Sequence, residues 1–133
     1  MKISTKSEYS LLALLFLARQ DTKKVFTIQE IASAQNIPKR FLEQLLLILK
    51  RSGYVQSRKG IEGGYQLAKA PEQISLAEII RLMDGALAPV ASVSRYFYQT
   101  TPIEKEKKLL AMFQEIRDSI SAKLENTFLS DLK

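Results

Sequence analysis

The stretch Thr27-Ile-Gln-Glu-Ile-Ala-Ser-Ala-Gln-Asn-Ile-Pro-Lys-Arg-Phe-Leu-Glu-Gln-Leu-Leu-Leu-Ile-Leu-Lys-Arg-Ser-Gly53 decides the fold. Thr27 and Glu30 stand three apart, the spacing of a capping box, and Ile28, Ile31 and Ala32 give the helix after them a short apolar face ending near Asn36. After a turn of about three residues (Asn36, Ile37 and the start of Pro38), Pro38 starts another helix at its first position, where a missing N–H costs nothing. Phe41, Leu42, Leu45, Leu46, Ile48 and Leu49 form its core side, and Gly53 stops it. A short helix, a tight turn and an amphipathic helix make a helix-turn-helix.

Downstream, Tyr54-Val55-Gln56-Ser57-Arg58 alternates as a strand, Lys59-Gly60-Ile61-Glu62-Gly63-Gly64 is a glycine-rich turn, and Tyr65-Gln66-Leu67-Ala68 is a second strand. The hairpin makes the motif a winged one. Pro71 ends it, and Ser75-Leu-Ala-Glu78 opens a helix with Leu76, Ile79, Ile80 and Met83 inward, closed by Gly85. Upstream, Ser4 or Thr5 caps a first helix, with Thr5 and Glu8 in capping-box spacing. That helix holds the longest apolar run, Leu11 to Ala18, and is apolar almost all round, as a central buried helix is. Residues 86–100 have no clear period. Thr101-Pro102-Ile-Glu104 then signals a long helix reaching about Phe128, with Leu109, Phe113, Ile116, Ile120 and Leu124 as an apolar stripe. The fold class is mainly α with a small β-hairpin. A winged helix-turn-helix domain (1–85) is followed by a loop (86–101) and a C-terminal dimerisation helix (102–133).

Composition narrows the chemistry. The 133 residues contain neither Cys nor His, which removes disulfides, zinc fingers, thiolate clusters and histidine acid–base catalysis together. No phosphate loop or calcium loop is present, so an enzyme is not expected. The apolar run is too short for a membrane span of roughly 20 residues. Glu8 and Tyr9 interrupt any signal-peptide pattern, so a cytoplasmic location is expected, with no membrane partner. The net charge is +6, divided as +7 over residues 1–70 and −1 over residues 71–133. Excess positive charge confined to the first half points to a polyanion.

The third helix offers Lys39, Arg40, Glu43 and Gln44 on its outer side, groups suited to guanine, cytosine and adenine edges or to phosphates. Lys50 and Arg51 at its far end suit phosphates. In the wing, Arg58 and Lys59 suit a minor groove, while Gly60, Gly63 and Gly64 permit a tight turn close to the duplex. Each basic residue alone would pass for a solvated face; jointly, with the wing, they favour double-stranded DNA. The alternative is a winged-helix protein-interaction adaptor that has lost its sensor.

The strings Phe41-Leu42-Glu43-Gln44-Leu45, Gly53-Tyr54-Val55, Gly60-x-x-Gly63-Gly64-Tyr65-x-Leu67 and Ile79-Ile80-x-x-Met83-Asp84-Gly85, with the opening Ser4-x-Lys6-x-x-Tyr9, closely resemble the Rrf-two family of bacterial transcription regulators. The resemblance spans residues 2–85, and the C-terminal helix is similar to that family's dimerisation helix. It implies a homodimer on a palindromic operator, each recognition helix in the major groove and each wing in the minor groove. It puts Glu43 and Gln44 where base readers lie and Lys59 where the family often has a wing arginine. Repression is the expected outcome.

Cluster-binding members of that family carry three Cys in the loop after the fourth helix. Here that loop, Ala86 to Thr100, has none, so a Cys-held iron–sulfur cluster is impossible and neither metal nor cofactor is expected. Glu8, near the place of a carboxylate ligand in some relatives, reads as a helix-capping charge. Arg95, Tyr96, Phe97 and Tyr98 are the candidate sensor residues for a small-molecule or protein effector. The plainer alternative is that these aromatics only pack the loop against the dimer helices.

Overall fold

In the computed structural model, which describes residues 2–20 and 23–133, helix α1 (Thr5–Ala18) is the element around which the others assemble. Its Ala13, Leu14, Leu17 and Ala18 are buried, and α2 (Ile28–Gln35), α3 (Lys39–Arg51), α4 (Leu76–Asp84) and α6 (Leu129–Leu132) all pack on it. An all-round apolar helix needs neighbours on every side, and this arrangement supplies them. The cap is Ser4, whose hydroxyl accepts the Ser7 N–H at 3.3 Å. The Thr5–Glu8 box does not form, because Ser4 is held one residue earlier by Asp84 from the end of α4. Glu8 is exposed in the first turn, where a negative charge suits the helix dipole.

Helices α2 and α3 start and stop for local reasons. Thr27 and Glu30 form the expected capping box on α2. Asn36 then turns the chain with left-handed backbone angles (φ 55°, ψ 45°), which Asn tolerates better than most residues. The turn is pinned by Ile37, which is buried, and by the Gln35 amide, which donates to the Leu12 carbonyl at 2.7 Å. Pro38 is the N-cap of α3 rather than its first helical residue; its ψ of 126° is extended, and the helix begins at Lys39. At the other end the Gly53 N–H reaches the Lys50 carbonyl (3.1 Å) and the Tyr54 N–H the Leu49 carbonyl (2.9 Å), with Gly53 at φ 84°. That Schellman geometry sends the chain straight into the wing.

Strands β1 (Val55–Arg58) and β2 (Gly64–Leu67) pair antiparallel with Val55 opposite Leu67 and Arg58 opposite Gly64. A third segment joins them. Phe26, just before α2, exchanges two backbone hydrogen bonds with Tyr65, at 2.9 and 2.7 Å. The Phe26 ring stands edge-on to Phe16 of α1, with centroids 5.2 Å apart. The wing is therefore tied to the start of α2 and to the core.

Helix α4 is capped by Ser75 and Glu78 as expected, buries Ala77, Ile79 and Ile80, and ends at Gly85. Residues 86–100 are irregular apart from a 3-10 turn at Ala91–Val93.

The C-terminal region departs from the single helix expected from Pro102. Pro102–Lys105 is a 3-10 turn, and α5 runs Lys107–Glu125. Thr101 does not cap it; its hydroxyl donates to Ser92 (2.8 Å), and the Glu104 carboxylate takes the Tyr98 hydroxyl instead. After Asn126 the chain turns back onto the first domain. The Leu76 N–H donates to the Thr127 carbonyl (2.9 Å), the Leu129 N–H to the Ile74 carbonyl (3.0 Å), and Leu129 is buried in the same core cluster as Leu14, Leu42 and Ile74. Filling the centre with one large aliphatic side chain is worth about 1.5–3 kcal/mol.

Candidate nucleic-acid interface

The start of α2, the outer side of α3 and the wing converge on one open concavity of about 480 Å³. It is lined by Thr27, Ile28 and Gln29 from α2, Lys39 and Glu43 from α3, and Arg58, Lys59, Gly60, Gly63 and Gly64 from the wing. Seven residues singled out from sequence therefore come together. Arg40 and Gln44 are exposed on α3 but off this concavity, and Lys50 and Arg51 are exposed at its far end. At ~1.5 Å per residue the far end lies roughly 17 Å along the helix from Lys39. Thr27, Ile28 and Gln29 were not singled out from sequence. Their signal was the capping box itself, because a capped helix start presents backbone N–H groups to an anion.

Two glycines set the wing's shape by close approach. A Cβ on Gly63 would lie 2.2 Å from the Arg58 carbonyl oxygen, and one on Gly64 would lie 2.5 Å from the Phe26 carbonyl oxygen. Between the strands, the Gly63 N–H closes a turn onto the Gly60 carbonyl at 3.0 Å, with Ile61 and Glu62 at its corners. Behind the wing the Tyr54 hydroxyl donates to Glu78 of α4 (3.2 Å), and the Lys69 ammonium sits 5.1 Å from the Tyr54 ring centre. Burial and the Glu78 charge push the Tyr54 hydroxyl up to about 12. Burial would raise the Glu78 carboxyl, but hydrogen bonds from Ser75 and Tyr54 and the charge of Lys69 outweigh it and hold the group below its ordinary value.

Charge is distributed unevenly over this surface. Lys39, Arg40, Lys50, Arg51, Arg58 and Lys59 are all exposed, and among the described residues none of the six enters an ion pair. In the second half Arg81 pairs with Glu125 at 2.6 Å, and Arg95 and Arg117 flank Asp118 at 3.1 and 2.9 Å. Hydrogen bonds from Arg117 and Arg95 hold the Asp118 carboxyl below its ordinary value. Among the described residues the second half thus pairs Arg81, Arg95 and Arg117 with acids, whereas the six bases around the concavity stay outside ion pairs.

On α5, Leu109 and Ile116 are 40% and 38% exposed, and Met112, not singled out from sequence, extends their surface. Phe113, Ile120 and Leu124 are half-buried. Leu124 packs toward Ala77 and Ile80 of α4, and with Ile120 and Ile3 it lines an apolar groove of about 370 Å³. In the loop, Arg95 is held by Asp118, and the Tyr96 ring lies 4.8 Å from the Arg81 guanidinium. The Phe97 N–H donates to the Ser94 hydroxyl (2.9 Å), and Tyr96, Phe97 and Tyr98 all remain exposed.

The chain has no Cys, residues 86–100 contain no carboxylate, and among the described residues no three of His, Cys, Asp and Glu come together as metal ligands. That donor set does not fit an iron–sulfur cluster. Among the described residues no helix is long and apolar enough to cross a membrane.

The sequence of the Rrf2 family, described as iron-dependent transcriptional regulators, matches residues 3–133. An rrf2-like HTH-type transcriptional regulator of Rhodobacter capsulatus is 47% identical over 100 residues, 73% of this chain and 67% of that protein. An HTH-type regulator of Synechocystis is 48% identical over 89 residues, 67% of this chain and 60% of that protein, so the chain spans less than two thirds of that relative. The transcriptional regulator CymR of Bacillus subtilis is 33% identical over 99% of this chain and 89% of its own length. The solved structure of CymR superposes with a TM-score of 0.80 over 99% of this chain and 95% of that one. The chain belongs to the Rrf2 family of transcriptional regulators and has its winged helix-turn-helix fold.

Proposed function

We propose that this chain is a sequence-specific repressor that binds a palindromic operator in double-stranded DNA as a homodimer, in the cytoplasm and without an iron–sulfur cluster. The observation that carries the reading is the convergence of α3 and the wing on one concavity, bordered by bases that enter no ion pair among the described residues. Residues 1–85 form the DNA-binding unit. In it Lys39, Arg40, Glu43 and Gln44 read base edges in the major groove, Lys50 and Arg51 hold phosphates, and Arg58, Lys59 and the wing glycines approach the minor groove. From residue 102 onward the exposed stripe on α5 supplies the dimer contact. Loop 86–101 receives a small-molecule or protein effector through Arg95 and the three aromatics.

The cluster-free part of the reading rests on the donor set, in which neither thiolate nor imidazole exists. The test is selection of bound duplexes from random DNA by the purified chain, followed by titration of the recovered site. A palindromic consensus is expected. Arg40→Ala and Gln44→Ala should each weaken that site by roughly 1–3 kcal/mol, and Lys50→Ala should weaken all DNA about equally. Recovery of no consensus, with equal affinity for every duplex, rejects the repressor and leaves the protein-interaction adaptor.

A further inference from the structure

Ile61 stands at the corner of the wing turn with nothing over it. Its relative exposure is 105%, against 68% for the next most exposed large apolar side chain among the described residues, Tyr96. A single exposed aliphatic residue is ordinary on a protein surface. This one is placed unusually. It follows directly on Arg58, Lys59 and Gly60, all of which line the concavity beside α3.

Its support is also stiff. The turn beneath it is closed by the Gly63–Gly60 hydrogen bond, and the strands are paired in register. The whole hairpin is bolted to Phe26 by two backbone hydrogen bonds. A side chain carried on such a support keeps its position when pushed against another surface.

An aliphatic tip cannot satisfy the acceptors on a minor-groove floor. A minor groove about 6 Å wide admits a β-branched side chain only with displacement of water or opening of the stack. Apolar residues in that position act as wedges, and wedging is least costly at pyrimidine–purine steps, which kink easily. Glu62, the other corner residue, is anionic and gains nothing from phosphates.

We infer that Ile61 is a specificity-determining residue: an apolar wing tip that enters the minor groove and selects a deformable pyrimidine–purine step there. The inference rests on the DNA-binding reading above. It assigns to the wing a readout of DNA shape in addition to the charge contacts of Arg58 and Lys59.

The test uses the full chain and the duplex recovered by selection. Minor-groove footprinting locates the step under each wing, and that step is then changed between TA or CA and AA with the rest of the site unchanged. Binding is measured by fluorescence anisotropy and bending by energy transfer between the duplex ends. Wild type should prefer the flexible step by roughly tenfold, the usual scale for one altered base pair. Ile61→Ala should lose that preference and reduce the bend, with its salt slope unchanged, and Ile61→Leu should keep both. Absence of a step preference in wild type, or its persistence with an unaltered bend in Ile61→Ala, overturns the inference. Failure of the underlying reading looks different, because then no site is selected and Arg40→Ala has no effect either.

Discussion

The carboxylate of Asp84 at the end of α4 accepts both the backbone N–H and the hydroxyl of Ser4, the residue that caps α1, and it takes the Ser7 hydroxyl at 2.8 Å as well. Two helix ends eighty positions apart in sequence are joined through one side chain. Burial would raise the Asp84 carboxyl, but the Ser4 and Ser7 hydrogen bonds and the charge of Lys6 hold it below its ordinary value. A carboxyl lowered in the folded state stabilises above its unfolded value and loses that contribution as pH falls through the folded one. Asp84→Asn should therefore cost about 1–3 kcal/mol in urea unfolding at pH 7, and the difference from wild type should shrink below about pH 4. An equal deficit at pH 7 and pH 3 would show that charge is not the source.

Gly64 and Gly53 should respond differently to the same substitution. Gly64→Ala drives a methyl into the Phe26 backbone and opens the bridge that ties the wing to the core. It should cost about 2–3 kcal/mol and weaken DNA binding with it. Nothing lies within 4 Å of a Cβ built on Gly53, so Gly53→Ala pays only for its left-handed backbone, about 1 kcal/mol. Thermal unfolding of the two variants, with operator titrations, checks the contrast. Equal losses would mean that the approach of Phe26 is not what demands a glycine.

Ser10 is fully buried in α1, and its hydroxyl is the one buried side-chain polar atom among the described residues without a hydrogen-bond partner. Ser10→Ala removes an unsatisfied group and improves helix propensity. It should stabilise the protein by ~1 kcal/mol, a rise of about 3 °C in Tm. A lower Tm would mean that the hydroxyl has a partner.

Leu109 and Ile116 are the most accessible members of the α5 stripe, so replacing them leaves the protomer's core intact. Leu109→Glu with Ile116→Glu should convert a dimer to monomers in sedimentation at micromolar concentration while preserving helical content. The operator affinity should fall with it, because each half-site then binds alone. A wild type that sediments as a monomer would remove α5 as the contact.

What could be read in the sequence was whatever neighbouring residues decide among themselves. The capping boxes at Thr27 and Ser75 form as written because both partners lie within one helical turn. The boxes read at Thr5 and Thr101 fail where a distant group competes: Asp84 claims Ser4, while Ser92 receives Thr101 and Tyr98 claims Glu104. The helix-turn-helix and wing were legible from periodicity and glycine placement. The pairing of Phe26 with Tyr65 was not, since an isolated aromatic after a polar turn carries no register. Phe128 and Leu129 continue the apolar spacing of α5, so nothing local reveals that Leu129 leaves the helix for the centre of the first domain. The candidate interface was mostly visible because bases outnumber acids in the first half; the contribution of α2 was hidden in residues whose side chains look ordinary.

The return of the chain after Asn126 changes what a shortened protein would be. Deleting the last seven residues would not trim a loose tail. It would withdraw Leu129 from the core cluster that holds Leu14 and leave the backbone of Ile74 and Leu76 without its partners, unroofing the half that carries α3. An extension appended after the exposed Lys133, by contrast, points into solvent and leaves that plug seated. Helix α5 is thus riveted to the first domain at its C-terminal end, where Glu125 pairs with Arg81 and Thr127 meets Leu76, so a pull on that end is delivered to α4.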